Sequence, residues 1–281
     1  MAVKIVSDSG CDLPAEVVEQ YGIHLVPLVL RFDQRVVSDS AAAREELWQR
    51  VERGLPCDTS GPPVGPYEEL FGALVAAGHE VVCITLTSVY SVTYNSAWLA
   101  AQAYPGRVEV IDGRSVSLGY GLQVWEAARL AAAGADRRTI VEAVRNLRQR
   151  TVVRFFFESL DQARRGGRLD ALLPVLARLG QVLNVRGVLT ITEEGRFALV
   201  GPARGRRGAI KRVIEDAIAT APVEQVVVAH TRCLDDALAV ADALTAGLPF
   251  PRAQVVLIEI GAVLVAHAGQ GVIGVGTVRQ R

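Results

Sequence analysis

Between positions 87 and 96 the chain sets Thr87, Ser88, Ser91, Thr93, Asn95 and Ser96 close together, directly after the apolar run EVVCITL (80–86). Small hydroxyls at that point could donate hydrogen bonds to an anionic oxygen without bringing a charge of their own. A second pair, Thr59-Ser60, sits in the loop CDTSGPPVGP (57–66), and SDS (7–9) ends the first apolar run. Each group also has a plainer role. Ser and Thr routinely cap helices, and Thr59-Ser60 fits an ordinary turn. Taken alone, the residues leave both readings open.

Two further places hold polar side chains in informative surroundings. His267 lies in GAVLVAHAGQGVIGVG, flanked by small residues that let another molecule approach. It reads either as a hydrogen-bonded core histidine or as a neutral or cationic donor to an anionic head group. In RRGGR (164–168), paired glycines expose the backbone and leave Arg168 free to point into a cleft. The cluster ARGRR (203–207) opens a helix, where cations oppose the helix dipole. Arg204, Arg206 and Arg207 are therefore read as a docking or anion-contact surface, with a solvated face as the bland alternative.

The elements that must carry these groups follow from periodicity. Strands are expected at 3–8, 24–32, 80–86, 108–112 and 151–159, with Pro27 marking an edge or bulge in the second. Helices are expected from Pro14, over 43–53, 67–77, 94–103, 120–133 and 137–149, and the proline-rich stretch 57–66 is expected to be irregular. This alternation predicts an α/β layer with a largely parallel sheet. After RRGGRLD the rhythm changes. GVLTIT (187–192) and RFALVG (196–201) flank EEG and predict a hairpin. Helix 207–219, strand 225–230, helix 234–245, strand 254–260 and a glycine-rich last strand follow. The expected division is an N-terminal α/β domain, 1–160, and a C-terminal α/β domain, 161–281.

Composition narrows the function. Lys+Arg and Asp+Glu both count 30, giving zero net charge, whereas nucleic-acid binders usually show a basic excess. The cysteines Cys11, Cys57, Cys83 and Cys233 form no CxxC pair, and no His pair has metal-ligand spacing, so no metal or cofactor is expected. The most apolar stretch, VVLIEIGAVLVAH, is interrupted by Glu259 and falls short of the roughly 20 apolar residues of a membrane span. A cytoplasmic protein without membrane insertion is expected. No GxGxxG follows an expected strand, and GxxxxGK(S/T), the GxSxG elbow and HExxH are absent.

Read in order, these segments resemble the DegV family, whose members bind fatty acids. The resemblance spans nearly the whole chain: SDSGCDLP, GIHLVPLVLRF with Asp39 after it, TSGPP, LFGALVAAGHEVVCITLTS, SVTYNSA, VEVIDGRSVSLGYG, SLDQARRGGR and IGAVLVAHAGQG. The family usually has glycine where this chain has Val92, and a β-branched residue does not readily take the positive φ open to glycine. Ala268 replaces a threonine of the family pattern. The resemblance implies a two-domain fold: an N-terminal three-layer α/β/α domain with a mainly parallel sheet, a C-terminal α/β domain with a mixed sheet, and the acyl chain between and within them. It implies a carboxylate held by Thr59, Ser91 and His267, with Arg168 near the head group and Ser60 and Thr93 beside the hydroxyl donors. It also implies a non-enzymatic carrier that presents the carboxylate to a separate ATP-binding fatty acid kinase subunit, with Arg204 at the docking surface. The alternative is an α/β enzyme acting on a small phosphorylated metabolite at the same hydroxyl loops.

The energetics agree with a lipid ligand. Burying about 14 methylenes at 0.8 kcal/mol each releases about 11 kcal/mol, against an association cost of about 4 kcal/mol or more. The tail would dominate affinity, and the head-group donors would fix orientation.

Overall fold

A computed structural model describes residues 2–159, 167–170, 172, 174–176, 178 and 184–281. Within RRGGR, positions 164–166 lie outside the described residues, while Gly167 and Arg168 lie within them. The chain divides into two compact units, Met1–Gln149 and Arg150–Arg281.

The first unit is built on β1 (Val3–Asp8), β2 (His24–Val26), β6 (Glu80–Thr85) and β7 (Val108–Asp112). They form one parallel sheet in the order β2-β1-β6-β7, with Val6 opposite Cys83 and Cys83 opposite Val110. A parallel sheet covered on both faces needs strands that are apolar throughout. Ile5, Val6, Val81, Val82, Cys83 and Ile84 meet that need, all buried. On one face α3 (Val64–Ala76) and α4 (Thr93–Ala101) pack on each other and on β6 and β7. Tyr67, Phe71 and Leu74 of α3 and Ala97 and Ala100 of α4 meet Val6, Val81 and Cys83 there. Ile5, Val82 and Ile84 alternate to the opposite face, and α5 (Leu118–Ala132) packs against β1 and β6. Helices α1 (Ala15–Tyr21), α2 (Ala41–Glu52) and α6 (Arg137–Arg150) complete the unit.

Two expectations need correction here. HLVPLVLRF is not one strand. β2 ends before Pro27, which has no N–H for a ladder, and β3 (Val29–Phe32) enters a separate antiparallel sheet with order β4-β3-β5. In that sheet β4 is Arg35–Ser38 and β5 is Asp58–Ser60. The loop 57–66 is therefore partly regular. Thr59 pairs with Leu30 and Ser60 with Val29, and the prolines begin only after β5, with Pro63 at the N-cap of α3.

The second unit holds β8 (Thr151–Phe156), β9 (Val185–Ile191), β10 (Phe197–Arg204), α7 (Gly205–Ile218), β11 (Val223–His230), α8 (Leu234–Gly247), β12 (Val256–Glu259), α9 (Ala262–Ala268) and β13 (Ile273–Arg279). Its mixed sheet has the order β10-β9-β8-β13-β11-β12, and among the described strands only β11 and β12 run parallel. The expected hairpin is present as β9 and β10. β8 pairs with β13 and β9, which is why the division falls at 149/150 rather than at 160. Val213 and Ala217 of α7 and Val240 and Leu244 of α8 bury against Val226, Val228, Ile273 and Val275. The apolar run around Glu259 is two elements, since Gly261 caps α9 between β12 and His267. No helix among the described residues is long and apolar enough to cross a membrane.

Backbone approach at α5 sets one testable limit. A Cβ at Gly121 would press into the carbonyl oxygen of Cys11, so the helix can lie on the turn after β1 only with glycine there. Alanine in a helix interior normally stabilises by about 0.5–1 kcal/mol. We expect Gly121→Ala to destabilise instead, by about 1–3 kcal/mol, seen as a lower melting temperature. Gly208→Ala on α7, where a Cβ meets nothing closer than 3.8 Å, is the control and should raise it slightly. A neutral or stabilising Gly121→Ala would show that the α5 contact is loose.

Candidate functional site

Strand order in the first unit reverses between β1 and β6. In open α/β sheets ligands bind in the crevice outside the carboxyl ends of the strands at such a switch. β1 ends there in Ser7-Asp8-Ser9 and β6 runs there into Leu86-Thr87-Ser88, so the hydroxyl-rich segment emerges where the topology places a ligand. The turn 90–93 is built by its own side chains. Ser91 Oγ lies 2.8 Å from Thr93 Oγ1 and accepts the Thr93 N–H at 3.3 Å. Capping and ligand binding are compatible, because a serine oxygen can accept a backbone N–H and still donate its proton outward. Thr93 is fully buried, so its hydroxyl braces Ser91 from behind, while Ser91 is half-buried. Val92 takes φ −78° and ψ −4°. The turn thus needs no positive φ, and a β-branched residue fits it without strain.

The residue that follows the Thr59-Ser60 pair, Gly61, reaches the same turn. A Cβ on Gly61 would come within 2.7 Å of Thr93 Oγ1 and 3.0 Å of Thr93 N. Only glycine lets the loop after β5 close on the start of α4. Thr59 is half-buried and Ser60 exposed. The structure therefore sets Gly61, which directly follows Thr59 and Ser60 at the end of β5, against the turn bearing Ser91 and Thr93, although β5 and β6 belong to different sheets.

Other hydroxyls of the opening inventory hold the fold. Ser7 donates to the Ile84 carbonyl at 2.8 Å, Ser9 to Asp39 at 2.7 Å and Ser88 to Asp112 at 2.6 Å.

Sequence reasoning missed the buried acids beneath this crevice. Asp8 accepts the Tyr120 hydroxyl at 2.5 Å, the Gly10 N–H at 3.1 Å and the Leu86 N–H at 3.0 Å. Burial raises its pKa to about 6, outweighing those three donors, which lower it. Burial likewise pushes the Cys11 thiol up to about 12 and the Tyr120 hydroxyl well above its ordinary value. Next to them Ser117 donates to Asp12 at 2.5 Å, with both residues at positive φ, 49° and 51°. The available signal was position: Asp8 ends the apolar strand β1, and Asp12 lies in the turn that follows it.

In the second unit His267 lies in the last turn of α9. Burial, and then the positive charge of Arg168, lower its pKa to about 4. Of the two protonation states left open by the sequence, the neutral ring is the one present near neutrality, and a neutral ring still offers one N–H donor. Arg168 is half-buried beside it.

The arginine cluster divides. Arg204 and Arg207 are exposed. Arg206 donates to Glu158 at 2.8 Å, to Asp236 at 2.6 Å and to the Gly271 carbonyl at 2.6 Å, and it lies 5.5 Å from the Phe156 ring centroid. Two carboxylates neutralise it, which also answers the objection that a cation opposes the dipole of α7. Arg206 is a structural residue of this unit rather than an open docking contact, and the expectation from sequence is corrected on that point. Among the described residues no group of His, Cys, Asp and Glu is placed to hold a metal ion.

With this geometry in place, likeness to known proteins is specific. A family model described as "Uncharacterised protein, DegV family" matches residues 2–280. A DegV domain-containing protein of Caldanaerobacter subterraneus is 36% identical over 216 residues, covering 76% of this chain and 75% of its relative. One from Streptomyces coelicolor is 32% identical, covering 97% of each. Among solved structures, a fatty-acid-binding DegV family protein from Thermus thermophilus superposes with a TM-score of 0.89 at 28% identity over 99% of both chains. A stearic-acid-binding protein from Eubacterium ventriosum gives 0.87 at 27%, covering 99% of this chain and 98% of that one. The chain belongs to the DegV family.

Proposed function

We propose that this protein binds a long-chain fatty acid and holds its carboxylate with neutral hydroxyl donors. Ser91 and Thr59 serve in the first unit, with Thr93 bracing Ser91 and Ser60 at the rim. His267 and Arg168 supply an N–H and a positive charge in the second unit. The observation that carries the reading is the closure of Gly61 on Thr93, which gathers two hydroxyl loops from different sheets at a strand-order switch. The fatty-acid ligands of the Thermus and Eubacterium relatives name the chemistry that suits such a cradle.

The physical logic is asymmetric. The acyl tail contributes most of the binding free energy, but a carboxylate left without donors in an apolar site costs several kcal/mol, roughly 2–7 for a polar group alone. Preplaced hydroxyls remove that penalty without adding a buried charge. We further propose that the bound carboxylate is presented to a separate ATP-binding kinase subunit, with the exposed Arg204 and Arg207 as the contact surface. The family resemblance supports this second step.

Native mass spectrometry of the freshly purified chain should find one acyl chain per protein. A protein that carries none and takes up no palmitate would contradict the function. Ser91→Ala with Thr59→Ala should weaken palmitate binding about 100-fold, the size of two hydrogen bonds to a charged group, in a protein that stays folded and loses about 0.5–2 kcal/mol of stability with the acceptor of the Thr93 N–H. Equal affinity would remove the two hydroxyls from the site. Arg204→Glu should retain palmitate affinity and lower acyl-phosphate formation with a kinase subunit and ATP; unchanged turnover would exclude Arg204 from docking.

A further inference from the structure

Asp8 is fully buried, and its environment is anomalous for a structural acid. The titratable groups that feel its charge are Cys11 from the turn after β1, Cys83 from β6, Tyr67 from α3 and Tyr120 from α5, and Asp12 acts in turn on Cys11 and Tyr120. None is a cation. Arg44 of α2 is paired with Asp39 at 3.0 Å. The Tyr67 hydroxyl is buried with no hydrogen-bond partner among the described residues. A carboxylate in such a place costs stability, and an asparagine would fill the same space without charge.

An ionised acid offers what the amide cannot: it accepts from three donors at once. Those donors come from three parts of the unit, and Leu86 is the informative one. It is the first residue after β6, and the loop it starts ends at Ser91. Beyond Leu86 the loop is held by Thr87 N–H to the Ser115 carbonyl at 2.9 Å and by Ser88 to Asp112. Asp8 is thus the first fastening of the loop that delivers Ser91.

We propose that Asp8 is a positioning residue for the head-group turn: its ionised carboxylate fastens the loop carrying Ser91, and neutralising it loosens the grip on the ligand carboxylate. This rests on the fatty-acid reading given above.

Protonation provides the test, with a definite sign. The folded pKa, about 6, lies above the ordinary 3.8. The folded state therefore holds the proton more tightly than the unfolded chain does. Asp8's contribution to stability is fully present below about pH 3.8 and is lost as pH rises through about 6. The form that grips the loop is the form that weakens the fold, so stability and binding should move in opposite directions with pH. His267, with a folded pKa of about 4, stays mostly neutral in the folded protein above about pH 5, and the stability it loses as pH falls below its ordinary 6.5 is common to wild type and Asp8→Asn.

The experiment uses the full chain and a fluorescent polyene fatty acid, cis-parinaric acid, titrated between about pH 5 and pH 7.5. The wild type should lose affinity as pH falls, beyond the loss seen in Asp8→Asn. Asp8→Asn should bind about tenfold more weakly at pH 7.5, as expected for one hydrogen bond to a charged group. Asp8→Asn lacks the stabilisation that Asp8 gains on protonation, so its melting temperature should fall more steeply than the wild type's as pH drops from about 6 to about 4. Tyr120→Phe removes a donor that lowers the Asp8 pKa, so the midpoint of the wild-type profile should move to higher pH. Asp8→Asn with wild-type affinity and profile overturns the proposal, and if that variant does not fold, an unshifted midpoint in Tyr120→Phe overturns it. Failure of the wild type to bind the probe at any pH would instead sink the fatty-acid reading. Amide exchange at Leu86 still decides the fastening in that event: faster exchange in Asp8→Asn supports it, and unchanged exchange refutes it.

Discussion

A carboxyl group can be kept out of water only where donors already wait for it. The N-terminal unit answers that constraint at the carboxyl ends of β1 and β6. For its own Asp8 it supplies a tyrosine hydroxyl and two backbone N–H groups. For the ligand we propose, it holds Ser91 braced by Thr93, with Gly61 after β5 closed on the same turn. Both sets of donors are neutral. Neutral donors carry no charge of their own that a departing anion would leave unpaired in this unit.

The scaffold makes this arrangement possible. The parallel sheet places the end of β6 and the start of α4 beside the end of β1, and the small antiparallel sheet brings β5 in from another direction. Convergence then needs one position with no side chain, Gly61, and one unstrained turn, which Val92 permits in right-handed geometry. In the C-terminal unit the same economy holds. His267 is kept neutral by burial and by Arg168, while Arg206 is consumed by Glu158 and Asp236 and Arg204 and Arg207 stay at the surface.

Much of this was legible in the sequence because the signals were local. Valine and isoleucine runs marked the buried parallel strands, and EEG between two alternating runs marked the β9–β10 hairpin. Ser91, Thr59 and His267 stood out by type and setting. What escaped detection depended on distant partners. β5 is regular only because β3 lies beside it. β8 belongs to the second unit only because β13, more than a hundred positions later, pairs with it. Asp8 and Tyr120 lie 112 residues apart, and nothing near Arg206 in the chain reveals that Glu158 and Asp236 will neutralise it. Helix α9 was hidden inside an apolar run whose composition suits a strand as well as a helix.

The account stands on the ionised state of a bound acyl head group, which carboxyl-labelled palmitate reports directly by carbon NMR. It predicts a bound carboxyl resonance that stays ionised from about pH 7.5 down to about pH 5, and that broadens or titrates once Ser91 and Thr59 are both alanine. A labelled carboxyl that titrates in the wild type as it does free in solution, or that shows no bound resonance, would contradict it.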